Sequence, residues 1–280
     1  MIIRCWGARG SIPVSGSEYL KYGGDTTCIE ISTKGGETIV VDAGSGIRKL
    51  GLKLFDAKKK TINMVFTHAH WDHLLGFPFF KPVYVRESTI NLFGCPFAQA
   101  SIRNLLSNTM TPPYFPVRLE DLAAEFVYHG ACTAPFDIGP VHVIPILLSH
   151  PNQGIGYKFI EDNKSFVFLT DNELTFKHPG GLEFREYADF SANADLLIHD
   201  AEYTRDEYRS TRGWGHSVYE DALALAMDAH VRHFGLFHHN QERTDSAVDE
   251  IVAKCTQRVE EQKQTLTCRA ISAGTEIVLE

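Results

Sequence analysis

Short apolar runs that end on a polar or ionisable residue recur along this chain. Thr61 to Thr67 alternates Ile62, Met64 and Phe66 with Thr61, Asn63 and Val65, which predicts a strand with one well-buried face. Ile29 and Ile31 alternate with polar neighbours, Lys34-Gly35-Gly36-Glu37 turns the chain, and Ile39-Val40-Val41 returns it as a hairpin ending at Asp42. Val141 to Leu148 predicts a strand that closes at His150. Gly156 to Ile160 and Ser165 to Leu169 predict a second hairpin about Asp162-Asn163-Lys164, closing at Thr170-Asp171. Leu196-Leu197-Ile198 runs into His199-Asp200-Ala201-Glu202, and Phe234, Leu236 and His238 share one face of a later strand.

Helical spacing appears in the C-terminal third. Ser217 with Glu220 reads as a capping box for a helix bearing Ala222, Leu225, Ala226 and Ala229, and Val248, Ile251, Val252, Cys255 and Val259 mark a second helix. The chain closes on a strand from Glu276 to Leu279. Strands and helices alternating without a Pro/Ser-rich linker predict one α/β domain over residues 1–280, with helices packed outside sheets. Within it, Leu74 to about Pro116 differs in character, rich in proline and in aromatics such as Phe77, Phe79, Phe80, Tyr84, Phe93, Phe97, Tyr114 and Phe115. Such a stretch is expected to form a semi-rigid wall or lid that stacks a base or packs against a homodimer partner, or plain core beneath irregular loops.

The chemistry concentrates after the first of these strands, in Thr67-His68-Ala69-His70-Trp71-Asp72-His73. Imidazole and carboxylate are the usual ligands of Zn, Mn and Fe. His68 and His70 share a parity at a strand end, and Asp72 and His73 follow where the strand turns into a helix. Adjacent residues then aim at two points, so that one cluster serves two ions.

Composition narrows the setting. At 280 residues, 44% hydrophobic and 22% charged, the chain has the make-up of a soluble globular protein. No apolar run approaches the roughly 20 residues of a membrane span, and Met1 to Gly7 lacks the features of a signal peptide, so a cytoplasmic protein without membrane contacts is expected. The cysteines at 5, 28, 95, 132, 255 and 268 form no CxxC pair and are expected as reduced thiols. A formal charge of −8 argues against long nucleic acid as partner and favours a small substrate. Lys58-Lys59-Lys60 reads as a solvated turn.

The pattern HxHxDH at His68, His70, Asp72 and His73 resembles the principal metal motif of the metallo-β-lactamase superfamily, whose fold is a four-layer αββα sandwich. In that family a further His, an Asp or Cys, and a final His follow at strand ends, and His150, Asp171 and His238 hold those places. The resemblance implies His68, His70 and His150 on one ion, Asp72, His73 and His238 on the other, and Asp171 shared by both. Asp42 matches the family's first motif, an aspartate that supports the ligands by hydrogen bonding. Asp171 stands where true β-lactamases usually carry Cys, which argues against antibiotic hydrolysis. Residues 172–237 are too few for the inserted domain of β-CASP nucleases.

The chain is most similar to the ribonuclease Z branch and its small relatives, including cyclic-phosphate phosphodiesterases. Gly7-Ala8-Arg9-Gly10-Ser11-Ile12-Pro13 is similar to that branch's opening glycine-rich loop. His199-Asp200-Ala201-Glu202 and Gly215-His216-Ser217-Val218 stand where it carries His-Glu-Ala-Thr and Gly-His-Ser-Thr, with Asp200 in place of the usual Glu. Residues 151–170 leave no room for the long arm with which ribonuclease Z holds tRNA. The resemblance therefore implies a hydrolase of small phosphodiesters, cyclic nucleotides or cyclic sugar phosphates, working with two divalent ions and the hydroxide they share. Zn or Mn is the expected metal, with Fe as a third choice. Asp72 is expected to orient the hydroxide and His216, held by Asp200, to protonate the leaving alkoxide, with His239 next in line as donor. His129, His142, His178, His230 and His233 are expected to be structural or exposed. A carbonyl hydrolase of the lactonase or thioesterase kind shares the ligand motif, and a metal-dependent nucleotide-binding module without catalysis is the non-enzymatic alternative.

Overall fold

The computed structural model describes residues 1–94, 102–130 and 134–280. Cys95, Cys132 and Phe97 lie outside these; the four described cysteines are free thiols. The first half of the chain runs β1 (Ile2–Gly7), β2 (Cys28–Ser32), β3 (Thr38–Val41), α1 (Ile47–Asp56), β4 (Thr61–Val65), α2 (Trp71–Leu74), β5 (Thr89–Phe93), α3 (Ile102–Thr109) and β6 (Glu125–His129). The second half runs β7 (Phe136–Ile138), β8 (Val141–Leu148), β9 (Gly154–Glu161), β10 (Lys164–Leu169), α4 (Phe184–Phe190), β11 (Leu196–Asp200), α5 (Arg205–Thr211), α6 (Tyr219–Asp228), β12 (His233–Phe237), α7 (Asp245–Glu261), β13 (Thr267–Ala270) and β14 (Glu276–Val278).

These strands make two seven-stranded sheets, in the orders β14-β1-β2-β3-β4-β5-β6 and β13-β12-β11-β10-β9-β8-β7. Each is antiparallel in one half and parallel in the other: β3, β4, β5 and β6 run parallel in the first, and β10, β11, β12 and β13 in the second. Alternate side chains fill the space between sheets, among them Ile39, Val41, Val65, Phe166, Phe168, Leu196 and Ile198. Their sequence neighbours point outward under helices. Val40, Ile62 and Met64 pack with Ile47, Leu50 and Leu54 of α1, while Val167, Leu169 and Leu197 pack with Ala222, Leu225 and Ala226 of α6 and Ile251 and Cys255 of α7. The result is the four-layer αββα sandwich that the resemblance implied.

Local differences from the sequence pattern have physical causes. β4 is buried on both faces: Ile62 and Met64 lie beneath helices while Val65 faces the second sheet, as in other parallel strands covered on two sides. The strand also stops at Val65, so Phe66 to His70 lie beyond it, with a bend at Thr67. Residues 74–116 contribute β5 to the first sheet, and Phe77, Phe80, Val83 and Met110 are buried in the core under it. Phe79, Tyr84 and Tyr114 are exposed. The capping box expected at Ser217 does not form: α6 begins after Val218 without a side-chain cap. Ser217 Oγ instead donates to the Asn172 carbonyl at 2.5 Å and accepts from the Leu174 amide at 3.1 Å. Reciprocal boxes occur where none was expected, at Glu183 with Glu186 and at Thr204 with Glu207.

Candidate metal centre

Parallel strands of an α/β sheet end where a crevice opens, and polar residues collect there. Asp42 follows β3, His68 to His73 follow β4, His150 follows β8, Asp171 follows β10, Asp200 ends β11 and His238 follows β12. Asp42, Asp171 and His238 adopt the left-handed backbone region, with φ of 62°, 52° and 57°. An aspartate or histidine tolerates that region better than bulkier residues, and each such turn re-aims a side chain from its strand into the crevice.

Seven residues expected as ligands meet there in two sets. His68, His70, His150 and Asp171 form one, Asp72, His73, Asp171 and His238 the other, with ligand atoms inside each within 4.8 Å of one another. Asp171 belongs to both: its Oδ2 lies 3.6 Å from His68 Nε2 and 3.3 Å from His238 Nε2, and its Oδ1 lies 3.2 Å from His73 Nε2. Asp72 Oδ2 stands 3.3 Å from His73 Nε2 and 3.1 Å from His238 Nε2. His70 Nδ1 and His150 Nε2 face each other at 2.9 Å.

Surrounding groups decide which ring nitrogen is free. Asp42 accepts from His73 Nδ1 at 2.7 Å, and the Gly215 carbonyl accepts from His150 Nδ1 at 2.9 Å. Glu202 accepts from His238 Nδ1 at 2.8 Å. Thr67 donates Oγ1 to Asp42 at 2.7 Å, so the same oxygen accepts from His68 Nδ1 at 3.1 Å. Each bond puts a proton on Nδ1 and turns Nε2 toward the centre as the nitrogen that would bind an ion, whereas His70 presents Nδ1. The donor set fits divalent ions: Nε2 of His68 and of His73 are buried without a hydrogen-bond partner, an expense that a bound cation removes. The fit concerns the kind of ion; imidazole and carboxylate suit Zn, Mn and Fe alike.

Electrostatics say the same. Burial would depress the basicity of His73, yet Asp72, Asp171 and Asp42 outweigh it and hold the ring well above its ordinary value. His238 behaves alike, burial being overcome by Asp171, Asp72 and Glu202. Burial pushes His68 well below the ordinary value, lowers His70 and takes His150 down to about 3. Asp72 and Asp171 stay ionised well below the usual carboxylate range, because neighbouring imidazoles, His73 and His238 foremost, outweigh desolvation. Positive charge is demanded on the Asp72 side and refused on the His68 side unless it arrives as a shared cation. An ion held there would displace protons from His73 and His238, so metal affinity is expected to fall with acidity.

His216 adjoins this centre. Its Nδ1 donates to Asp200 Oδ2 at 2.9 Å and its ring stacks on His238 with centroids 4.6 Å apart. The shorter Asp side chain thus reaches the imidazole. Burial would lower His216, but Glu202 and Asp200 raise it to about 9. His239 is no substitute: it is buried, donates Nε2 to the Ile271 carbonyl at 2.8 Å and is held down at about 3 by burial. Of the other histidines, His178 is buried against Glu173, His129 stacks on Phe93, His142 pairs with Asp137, and His233 meets Thr267.

Two supports were not legible as such. Glu202 orients His238, lies 3.4 Å from His216 Nδ1, and is itself held by Asn240 Nδ2 at 2.9 Å. Its position two residues beyond Asp200 at a strand end was the available signal. The glycine-rich opening loop holds an anion of the protein itself, Ser11 N donating to Asp72 Oδ2 at 2.9 Å. A Cβ on Gly10 would stand 2.4 Å from His238 Nδ1, so glycine lets that loop lie against the ligand.

Comparison with known proteins agrees with this geometry. The model of the β-lactamase superfamily domain matches residues 37–239. A ribonuclease Z from Thermoplasma acidophilum is 23% identical, the match covering 74% of this chain and 78% of that protein. The metallo-β-lactamase fold protein YhfI from Bacillus subtilis superposes with a TM-score of 0.70 at 16% identity, covering 99% of this chain and 98% of its own. A diphosphatase of the PhnP family superposes with a TM-score of 0.68 at 15% identity, covering 100% and 98%.

Proposed function

This chain belongs to the metallo-β-lactamase superfamily, and from that premise we propose that it is a two-metal phosphodiesterase acting on a small cyclic or linear phosphodiester. The observation that carries the proposal is the sharing of Asp171 between two ligand sets, with Nε2 of His68 and of His73 buried without a hydrogen-bond partner. Divalent ions in such a pair lower the pKa of a water toward neutrality and offset the charge that grows on phosphoryl oxygens. The protein's own groups do the rest. Asp72, fixed by Ser11 N, orients the attacking water. His216, whose basicity Glu202 and Asp200 raise and whose ring Asp200 steers, delivers a proton from Nε2 to the departing alkoxide. A phosphorus substrate is favoured by the relatives, among them a ribonuclease Z and a diphosphatase. Small size is favoured by the β9–β10 connection, a hairpin turning at Asp162 and Asn163 with no arm between His150 and Asp171, and by the formal charge of −8.

Matched assays on a nitrophenyl phosphodiester, a homoserine lactone and a glutathione thioester, with Zn and Mn forms side by side, test the proposal. Fastest specific turnover of the phosphodiester is expected. Faster turnover of either carbonyl substrate would replace it with the lactonase or thioesterase alternative, and failure on all three would favour a binding module.

A further inference from the structure

Tryptophan is normally drawn into a core or onto a partner, and single exposed apolar residues are ordinary. Trp6 follows that habit, half-buried with Nε1 donating to Glu30 at 3.0 Å. The other two tryptophans of the chain do not. Trp71 is 77% exposed and Trp214 63% exposed, and both stand at the rim of the metal centre. Trp71 lies between His70 and Asp72, one residue of each ligand set. Trp214 precedes Gly215, whose carbonyl orients His150, and His150 in turn faces His70 at 2.9 Å. Both tryptophans are therefore chain neighbours of residues that belong to or orient the His68, His70 and His150 set, and Ile12, 57% exposed beside Ser11, adds apolar surface near Asp72.

Both tryptophans are carried on backbone that is fixed in place. Trp214 sits between Gly213 and Gly215 at φ of 88° and 96°, a conformation that disfavours any side chain. Both glycine amides donate to the buried Glu173 carboxylate, at 2.7 and 2.8 Å, and Trp214 N donates to the Thr211 carbonyl at 3.0 Å. Tyr208 and His178 hold Glu173 in turn. A Cβ on Gly215 would stand 2.1 Å from His150 Nδ1, so this loop is locked against the centre. Trp71 opens α2, whose Asp72 and His73 are themselves fixed in the site. Rigid aromatic surface, exposed beside a reacting centre, is preorganised to receive a flat ring.

Resting on the phosphodiesterase proposal above, we infer that Trp71 and Trp214 form a stacking platform for a nucleobase. The substrate is then a nucleoside phosphodiester, such as a nucleoside cyclic phosphate, in preference to a sugar or glycerol phosphate. The test compares kcat/KM of the metal-loaded enzyme for adenosine 2′,3′-cyclic phosphate and for 1-O-methylribose 2′,3′-cyclic phosphate, which lacks the base. Wild type should favour the adenosine compound, and Trp71→Ala and Trp214→Ala should each reduce that preference by roughly ten- to hundredfold, the size of one base–aromatic stack, with Phe at either position restoring part of it. A second readout needs no turnover: adenosine 5′-monophosphate should quench tryptophan fluorescence more than ribose 5-phosphate does, an excess lost when both indoles are replaced by Phe. Equal use of both cyclic phosphates by wild type, or a preference unchanged in both Ala variants, overturns the platform and leaves the phosphodiesterase standing. If neither compound is hydrolysed, the phosphodiesterase proposal has failed, and the quenching alone decides: none overturns the platform, while quenching that requires the indoles retains it as a binding surface.

Discussion

Asp42→Asn isolates what the support beneath the ligands is worth. Asp42 touches no position where an ion would sit, yet it accepts from Thr67 N at 2.8 Å, Thr67 Oγ1 at 2.7 Å and His73 Nδ1 at 2.7 Å. Asparagine keeps the size and tolerates the φ of 62°, so the backbone can remain as it is. The amide has one acceptor end and one donor end, and three donors surround it. With its oxygen on Thr67 N, its NH2 meets His73 Nδ1, whose proton must then move to Nε2, the atom that faces Asp72 and Asp171. With the amide flipped, its NH2 opposes the buried Thr67 N–H, a mismatch of about 1–3 kcal/mol. Either outcome amounts to roughly a ten- to hundredfold loss of metal affinity. On the two-ion proposal, the loss should be larger for an ion on Asp72, His73 and His238 than for one on His68, His70 and His150, which would feel Asp42 only through Thr67. Competition against chelators of graded strength, with elemental analysis at each step, separates the two. Unchanged affinity at both positions in a folded Asp42→Asn protein would refute the tautomer assignment for His73.

His216→Ala should slow a substrate with a ribose leaving group by about 10²- to 10⁴-fold while barely changing a nitrophenyl ester, which departs without a proton. Elemental analysis must show the metals retained, and equal losses on both substrates would remove His216 from the donor role. Stability against acid should depend on His239, which burial holds at about 3 while the unfolded chain titrates near 6.5. The unfolded state therefore takes up the proton first, and the stability from a neutral His239 is fully present above about pH 6.5 and lost as pH falls toward 3. Between pH 7 and 5 the loss is about 2 kcal/mol, so the denaturant-derived stability of chelator-treated His239→Gln should fall by about that much less than wild type. Parallel curves for the two proteins would contradict the buried neutral imidazole.

Much of the site could be read along the chain because it is written in local order. His68, His70, Asp72 and His73 fall within one short stretch, and His150, Asp171 and His238 each follow an apolar run that reads as a strand. Periodicity and residue type carry that information, and the two ligand sets formed from those same residues. Tertiary structure decided what depends on a neighbour distant in sequence. Glu202 orients His238 across 36 residues, Asp42 orients His73 across 31, and Gly215 orients His150 across 65, so the choice of Nε2 over Nδ1 appears only once those partners meet. Ser217 carries the local signature of a helix cap, yet the Asn172 carbonyl and Leu174 amide claim its hydroxyl, because a buried polar group is bonded by whatever packing brings within reach. Val65 looked like the polar-side member of an alternating strand until the second sheet covered it. Trp71 and Trp214 are two apolar letters among many in the sequence. Only the fold, by holding these two on fixed backbone, leaves them facing water beside the centre.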